Sequence, residues 1–185
     1  LSLPLIFGTG IETILASSYL APPVKQTVKI KESKKKRVGL AWAGSPTHNN
    51  DRHRSVSLEI LVPLFNTDKC EFFSLQVGSR QVDIQRLGLS DKIKDLSQDL
   101  KDFSDTASAI DQLDLVVSVD TAIAHLAGGM GKPVWILLPF ASEWRWLTGR
   151  DDSPWYPSMR LFRQQTAGNW EEVVRAVKIA LDAEC

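Results

Sequence analysis

The sequence predicts an open, doubly wound α/β domain built on a mostly parallel sheet. Three observations carry this expectation. From Arg37 onward, short apolar runs of strand type alternate with segments of helical period. There are six such runs, enough for one sheet with helices on both faces. Two unusual connections, a long polar loop after the first run and a turn of small residues after the fourth, fall where a parallel sheet exposes the carboxyl ends of its strands.

The expected strands are Val38 to Ala43, Glu71 to Gln76, a weak one near Ile93 to Leu96, Leu115 to Val119, Pro133 to Leu138 and Met159 to Arg163. Between them, Leu58, Leu61, Val62 and Phe65 share one helix face, and Phe103, Ala107, Ile110 and Leu113 share another. Trp170, Val173, Val174, Val177 and Leu181 repeat the pattern in a closing helix. No internal repeat is visible.

Residues 37–185 are therefore read as the folded domain and residues 1–36 as an inter-domain segment and linker. Leu1 to Ala21 is apolar, but it lacks a basic leader and is interrupted by Pro4, Gly8, Gly10 and Glu12, so it reads as ordered chain rather than a signal peptide. Ala21 to Lys36 combines Pro22-Pro23 with a lysine-rich run and has no core-forming period. A nucleic-acid patch is the alternative for this run, but without interleaved aromatics a solvated connector fits better.

Composition narrows the function classes. A chain of 185 residues, 43% hydrophobic, is long enough to bury one core. Its 22 basic residues balance 22 acidic ones, so no overall field draws in nucleic acid or an anionic membrane, and an anionic ligand has to be held locally. Two cysteines, Cys70 and Cys185, make no disulfide framework and suit a reducing compartment, for which a cytoplasmic location is expected. No run approaches the roughly 20 apolar residues of a membrane span.

The candidate site is read from the strand ends. After the fourth strand comes Asp120-Thr121, followed by Ala122, Ala124, Ala127, Gly128 and Gly129, with His125 one turn in. A helix starting there would offer unpaired N–H groups and a partial positive charge to a diphosphate. Thr121 would add a hydroxyl, and Asp120 would cap the helix or meet a sugar hydroxyl. The alternative is purely structural, with Asp120 as N-cap, Thr121 in the first turn and His125 packed.

After the first strand, residues 43–55 form a polar loop longer than a plain connection needs. In it Gly44 permits close backbone approach, and Arg52, His53 and Arg54 supply cations. Two histidines, His48 and His53, with Asp51 between them, suggest metal ligands as an alternative, but no further ligand at a convincing spacing supports a metal site, and a phosphate-facing loop fits better. Gln76 ends the second strand, where its amide either reads a base or ribose or satisfies the turn into Gly78. After the fifth strand, Trp144, Trp146 and Trp155 gather around Arg145, which is placed to pair with phosphate. Such a cluster is either a stacking platform or a surface packed against another part of the protein.

Together, Arg37 to Gly44 (RVGLAWAG), Phe73 to Gln76 (FSLQ), Asp102 to Thr106 (DFSDT), Leu115 to His125 (LVVSVDTAIAH), Pro133 to Pro139 (PVWILLP) and Glu143 to Arg163 resemble a known domain. It is the glycosyltransferase domain that follows tetratricopeptide repeats in many bacterial proteins, which is similar to the heptosyltransferases of glycosyltransferase family 9. The resemblance implies the C-terminal, Rossmann-like half of a GT-B fold, with Asp120, Thr121 and His125 at the diphosphate-sugar site. Ala122 stands where those enzymes usually have glycine, and Arg54 where they more often have lysine. Gln76 falls near the nucleoside.

The implied reaction is an inverting, metal-independent hexosyl or heptosyl transfer, with the nucleotide sugar as substrate and no further cofactor. Its catalytic carboxylate lies in an N-terminal domain, so no residue of this chain is assigned as catalytic and the chain alone is expected to be inactive. The implied partners are the nucleotide-sugar donor, the N-terminal GT-B domain and the tetratricopeptide repeats. A non-catalytic binding or interaction module with the same fold is the alternative. A dehydrogenase is disfavoured, because Gly44-Ser45-Pro46-Thr47 lacks the Gly-x-Gly-x-x-Gly turn and Gly128-Gly129-x-Gly131 reads as a helix C-cap.

Overall fold

A computed structural model describes residues 3–184 of the chain. Its strands are β1 (Lys36–Ala41), β2 (Cys70–Ser74), β3 (Ile93–Asp95), β4 (Leu115–Val119), β5 (Val134–Leu138) and β6 (Met159–Arg163). The helices are α1 (Leu3–Ile6), α2 (Asp51–Arg54), α3 (Leu58–Leu61), α4 (Asp83–Arg86), α5 (Phe103–Asp111), α6 (Ala122–Gly129) and α7 (Trp170–Glu184). The strands form one sheet in the order β3-β2-β1-β4-β5-β6, and every pairing between them is parallel.

Parallel strands buried on both faces read as continuous apolar runs, which is why β4 and β5 are buried at all five positions. The weakly signalled β3 is an edge strand of three residues, with Ile93 buried and Lys94 and Asp95 exposed. On one face of the sheet, Val38, Leu40, Leu115, Val117 and Leu137 pack against α3 and α7. The expected stripe of α7, Trp170, Val173, Val174, Val177 and Leu181, is buried there in full. At about 1.5–3 kcal/mol for each large side chain, this stripe is a main anchor of the layer. On the other face, Phe73, Val116, Val134 and Ile136 pack against Ala109 and Ile110 of α5 and Ala124 and Ala127 of α6.

Helix ends follow local rules. The Asp102 carboxylate caps α5 by accepting the Asp105 N–H at 2.9 Å. α6 closes with the Gly131 N–H on the Gly128 carbonyl and the Lys132 N–H on the Ala127 carbonyl, with Gly131 at φ 72°. This double bond pattern past a left-handed glycine is the C-cap expected of that run.

Two features differ from the sequence expectations. The polar loop after β1 contains the single helical turn α2. The lysine-rich segment before β1, expected to be a solvated connector, is pinned to α5. Val28 and Ile30 are buried, the Ile30 N–H donates to Gln112 Oε1 at 2.9 Å, and Gln112 Nε2 donates to the Val28 carbonyl at 2.7 Å. The lysines alternate with these two apolar residues and stay exposed, and a period of two positions is too short to register as a strand.

Candidate functional site

The strand order reverses between β1 and β4, and doubly wound sheets bind ligands at that point, outside the strands' carboxyl ends. A cleft of about 710 Å³ opens there. Its lining includes Gly44, Arg54, Gln76, Asp120, Thr121, Ala122, His125 and Arg145, so eight of the residues singled out from the sequence converge on one space. Their roles within it differ.

Thr121, rather than Asp120, occupies the N-cap position of α6, at φ −137° and ψ 168°. A cap must be the extended residue next to the first helical one, and Asp120 lies one position too early. The Thr121 hydroxyl sits 3.1 Å from Ser118 Oγ, so no side chain caps the helix and its first N–H groups face the cleft uncapped. Freed from capping, the Asp120 carboxylate turns to His125 Nε2 at 3.4 Å.

Burial is the largest single influence on the Asp120 carboxyl and pushes its pKa up. His125, the Trp146 indole and Arg54 together outweigh burial and hold it below the usual carboxylate range. The neighbouring indole makes no well-aligned hydrogen bond, so this effect is mainly one of proximity. His125 is stacked on the fully buried Trp146, with ring centroids 5.3 Å apart, and its Nδ1 lies 3.0 Å from the Tyr156 hydroxyl.

The opposite wall is the loop from Gly44 to Ser55. Of its three adjacent basic side chains only Arg54 lines the cleft, and Arg52 and His53 are exposed. Arg54 Nη1 donates to the Asp120 carbonyl at 3.1 Å, tying the two walls together. Gly44 is required by this guanidinium: a Cβ there would lie 2.5 Å from Arg54 Nη2 and 2.8 Å from Asp51 Oδ1. The loop is held by the Ser55 hydroxyl, which donates to Asp51 Oδ1 at 2.8 Å and accepts the Gly44 N–H at 3.0 Å. His48, Asp51 and His53 do not assemble, and among the described residues no group of three potential ligands could hold a metal ion.

Gln76 resolves toward the turn. Its Oε1 accepts the N–H groups of Trp42 and Ala43 at 3.1 and 2.9 Å, and its Nε2 donates to the Val77 carbonyl at 3.1 Å. Buried at 3% exposure, it shapes the cleft floor by fixing the exit of β1. Arg145 stands at the rim, 2.7 Å from Glu143 Oε1 and stacked over Trp144. The tryptophan cluster divides: Trp146 belongs to the core, and Trp144 packs edge-on against Trp155.

Sequence reasoning missed Tyr156, Trp146 as the support of His125, and the Asp51–Ser55 clamp. Gly128 carried a partial signal for the first of these. A glycine inside a helix leaves room for a close neighbour, and here Met159 and Tyr156 take it, with Tyr156 Cδ1 2.8 Å from where a Cβ would lie.

These features define a Rossmann-like α/β domain with a ligand-sized cleft at its switch point, the architecture of the C-terminal half of a GT-B fold. Comparison with solved structures agrees. Escherichia coli heptosyltransferase WaaC, solved with ADP, superposes with a TM-score of 0.59 at 13% identity, over 95% of this chain and 48% of that one. E. coli ADP-heptose lipopolysaccharide heptosyltransferase II matches with a TM-score of 0.53 at 13% identity, over 83% of this chain and 49% of that one. The C-terminal domain of the group 1 glycosyltransferase LpcC from Francisella tularensis matches with a TM-score of 0.51 at 14% identity, over 88% of this chain and 83% of that one.

In sequence, the chain is 34% identical over 153 residues to Protein FlbA of Caulobacter vibrioides. The match takes in 78% of this chain but 25% of that protein, so the chain spans about a quarter of the curated relative's length. No family model matches the chain.

Proposed function

We propose that the cleft binds the nucleoside-diphosphate part of a sugar donor, and that the chain is the donor-binding domain of an inverting, metal-independent glycosyltransferase. The observation that carries this reading is the pairing of an uncapped eight-residue helix N-terminus at Thr121 with the Arg54 guanidinium across one cleft. Backbone N–H groups at a helix start and a fixed guanidinium are both suited to diphosphate oxygens. In transfer, the same groups would stabilise charge growing on the leaving diphosphate without covalent chemistry. That WaaC was solved with ADP supports a nucleoside diphosphate as the first ligand to test.

In this reading the carboxylate base would be supplied by an N-terminal domain. Among the described residues, Asp120 and Glu143 are the carboxylates lining the cleft, and each is already paired, with His125 and Arg145 respectively. The same pairing favours a second reading, a binding module that keeps the cleft without catalysing transfer.

Titration calorimetry with ADP, UDP and GDP tests the binding claim. At least one should bind, and Arg54→Ala should weaken it about 10- to 100-fold, the loss of a charge-assisted bond worth about 1.5–3 kcal/mol. Failure of all three to bind, or an Arg54→Ala variant that binds as well as the parent, overturns the assignment. Assembly with an N-terminal GT-B domain, followed by a transfer assay, separates the catalytic from the non-catalytic reading.

A further inference from the structure

His125 belongs to a chain of hydrogen-bonding groups that ends far from the cleft. Its Nε2 faces Asp120 Oδ1 at 3.4 Å, its Nδ1 meets the Tyr156 hydroxyl at 3.0 Å, and that hydroxyl lies 3.4 Å from the hydroxyl of Tyr19. Tyr19 comes from the segment preceding the domain. That segment is seated on the end of α6, where the N–H groups of Tyr19 and Leu20 both donate to the Gly129 carbonyl, at 2.9 and 3.0 Å. The seat is close: a Cβ at Gly129 would lie 2.9 Å from Leu20 Cδ1 and 3.1 Å from Tyr19 Cζ and would push both side chains aside, and one at Gly131 would lie 3.1 Å from Ser18 Cβ.

An ionised carboxylate only accepts, so the ring nitrogen facing Asp120 must carry a proton. In a neutral imidazole the other nitrogen is then an acceptor, and Tyr156 must donate to it. With its proton so committed, the Tyr156 oxygen is left to accept from Tyr19. All four groups are satisfied by one direction of donation, from Tyr19 to Tyr156 to His125 to Asp120.

We infer that Tyr156 and Tyr19 are positioning residues: Asp120 sets the tautomer of His125, and the two hydroxyls hold its ring against that carboxylate, linking the segment before the domain to the site. His125, with both nitrogens engaged, supports the cleft wall and is not itself a diphosphate ligand. The affinity consequence rests on the donor-binding reading above, and the consequence for the His125 ring does not.

The test is ¹⁵N spectroscopy of the imidazole in the chain, alongside titration with ADP, UDP and GDP. The parent should show His125 as the Nε2–H tautomer, with its Nδ1 shifted as a hydrogen-bonded acceptor. Tyr156→Phe keeps the ring that fills the space beside Gly128 but removes the donor, and should move the Nδ1 resonance toward that of an unbonded imine nitrogen while Nε2 stays protonated. Donor affinity should fall about two- to tenfold with the loss of one neutral hydrogen bond.

Tyr19→Phe and Gly129→Ala should shift the Nδ1 resonance in the same direction by less. Tyr19 is 63% exposed, so its variant should remain folded even if Tyr156→Phe does not. An unchanged Nδ1 resonance in Tyr19→Phe and in every other folded variant overturns the inference. If the parent binds no nucleoside diphosphate, the donor reading fails, and the Nδ1 response still decides this one.

Discussion

On the α6 wall of the cleft, Asp120, Thr121 and His125 are each tied to another side chain, and the stack beneath them reaches the fully buried Trp146. On the loop wall, the Gly44–Ser55 segment carries its one cleft-facing guanidinium above a short clamp of Asp51 and Ser55, and its residues are mostly exposed. The first wall is fixed by packing that also holds the domain together, whereas the second is fixed by a few polar bonds. Damage to the α6 wall should therefore appear first as lost stability, and damage to the loop wall as lost affinity.

Trp146→Ala should show the largest effect. Removing a fully buried indole leaves a cavity under His125 and should cost about 3–5 kcal/mol, read as a lowered urea midpoint. A loss below about 1 kcal/mol would mean that the wall is not braced from below.

Asp120→Asn should come next, and its signature is pH dependence. A carboxyl held below its ordinary pKa contributes stability that is fully present above about pH 4 and is lost as pH falls through the depressed folded value. The parent should therefore lose stability on acidification below about pH 4, and the variant should begin about 1–3 kcal/mol weaker at neutral pH and show a flatter acid limb. Parallel acid limbs in the two proteins would remove Asp120 as the source of that stability.

The contrast between the walls also explains what could be read in the sequence. Strands β4 and β5 were legible because burial on both faces makes each a continuous apolar run, β1, β2 and β6 because short apolar runs survive between their charged positions, and the α7 stripe because five apolar residues repeat at helical spacing. The cleft residues were legible because polar groups and glycines at strand ends need a reason to be there. The braces were not. Tyr156 and Trp146 reach His125 from 31 and 21 positions away, out of a loop that has no period. Gln76 was ambiguous for a related reason, since an amide that completes a turn and one that reads a ligand occupy the same position in the chain.

The smallest effect, and the most specific to the loop wall, should come from Gly44→Ala. The added Cβ would meet Arg54 Nη2 at 2.5 Å, the far end of a flexible side chain, so the guanidinium can swing aside and stability should change by less than about 1 kcal/mol. Moving the guanidinium, however, takes it off the Asp120 carbonyl, and affinity for the best nucleoside diphosphate should fall severalfold. If displacement of Arg54 is the whole cause, the two substitutions cannot add. In an Arg54→Ala background, Gly44→Ala should cost nothing further, and the coupling measured across the cycle should equal the effect of Gly44→Ala alone. Full additivity would instead show that the added Cβ acts through Asp51 Oδ1, which it would meet at 2.8 Å, and the Ser55 clamp rather than through Arg54.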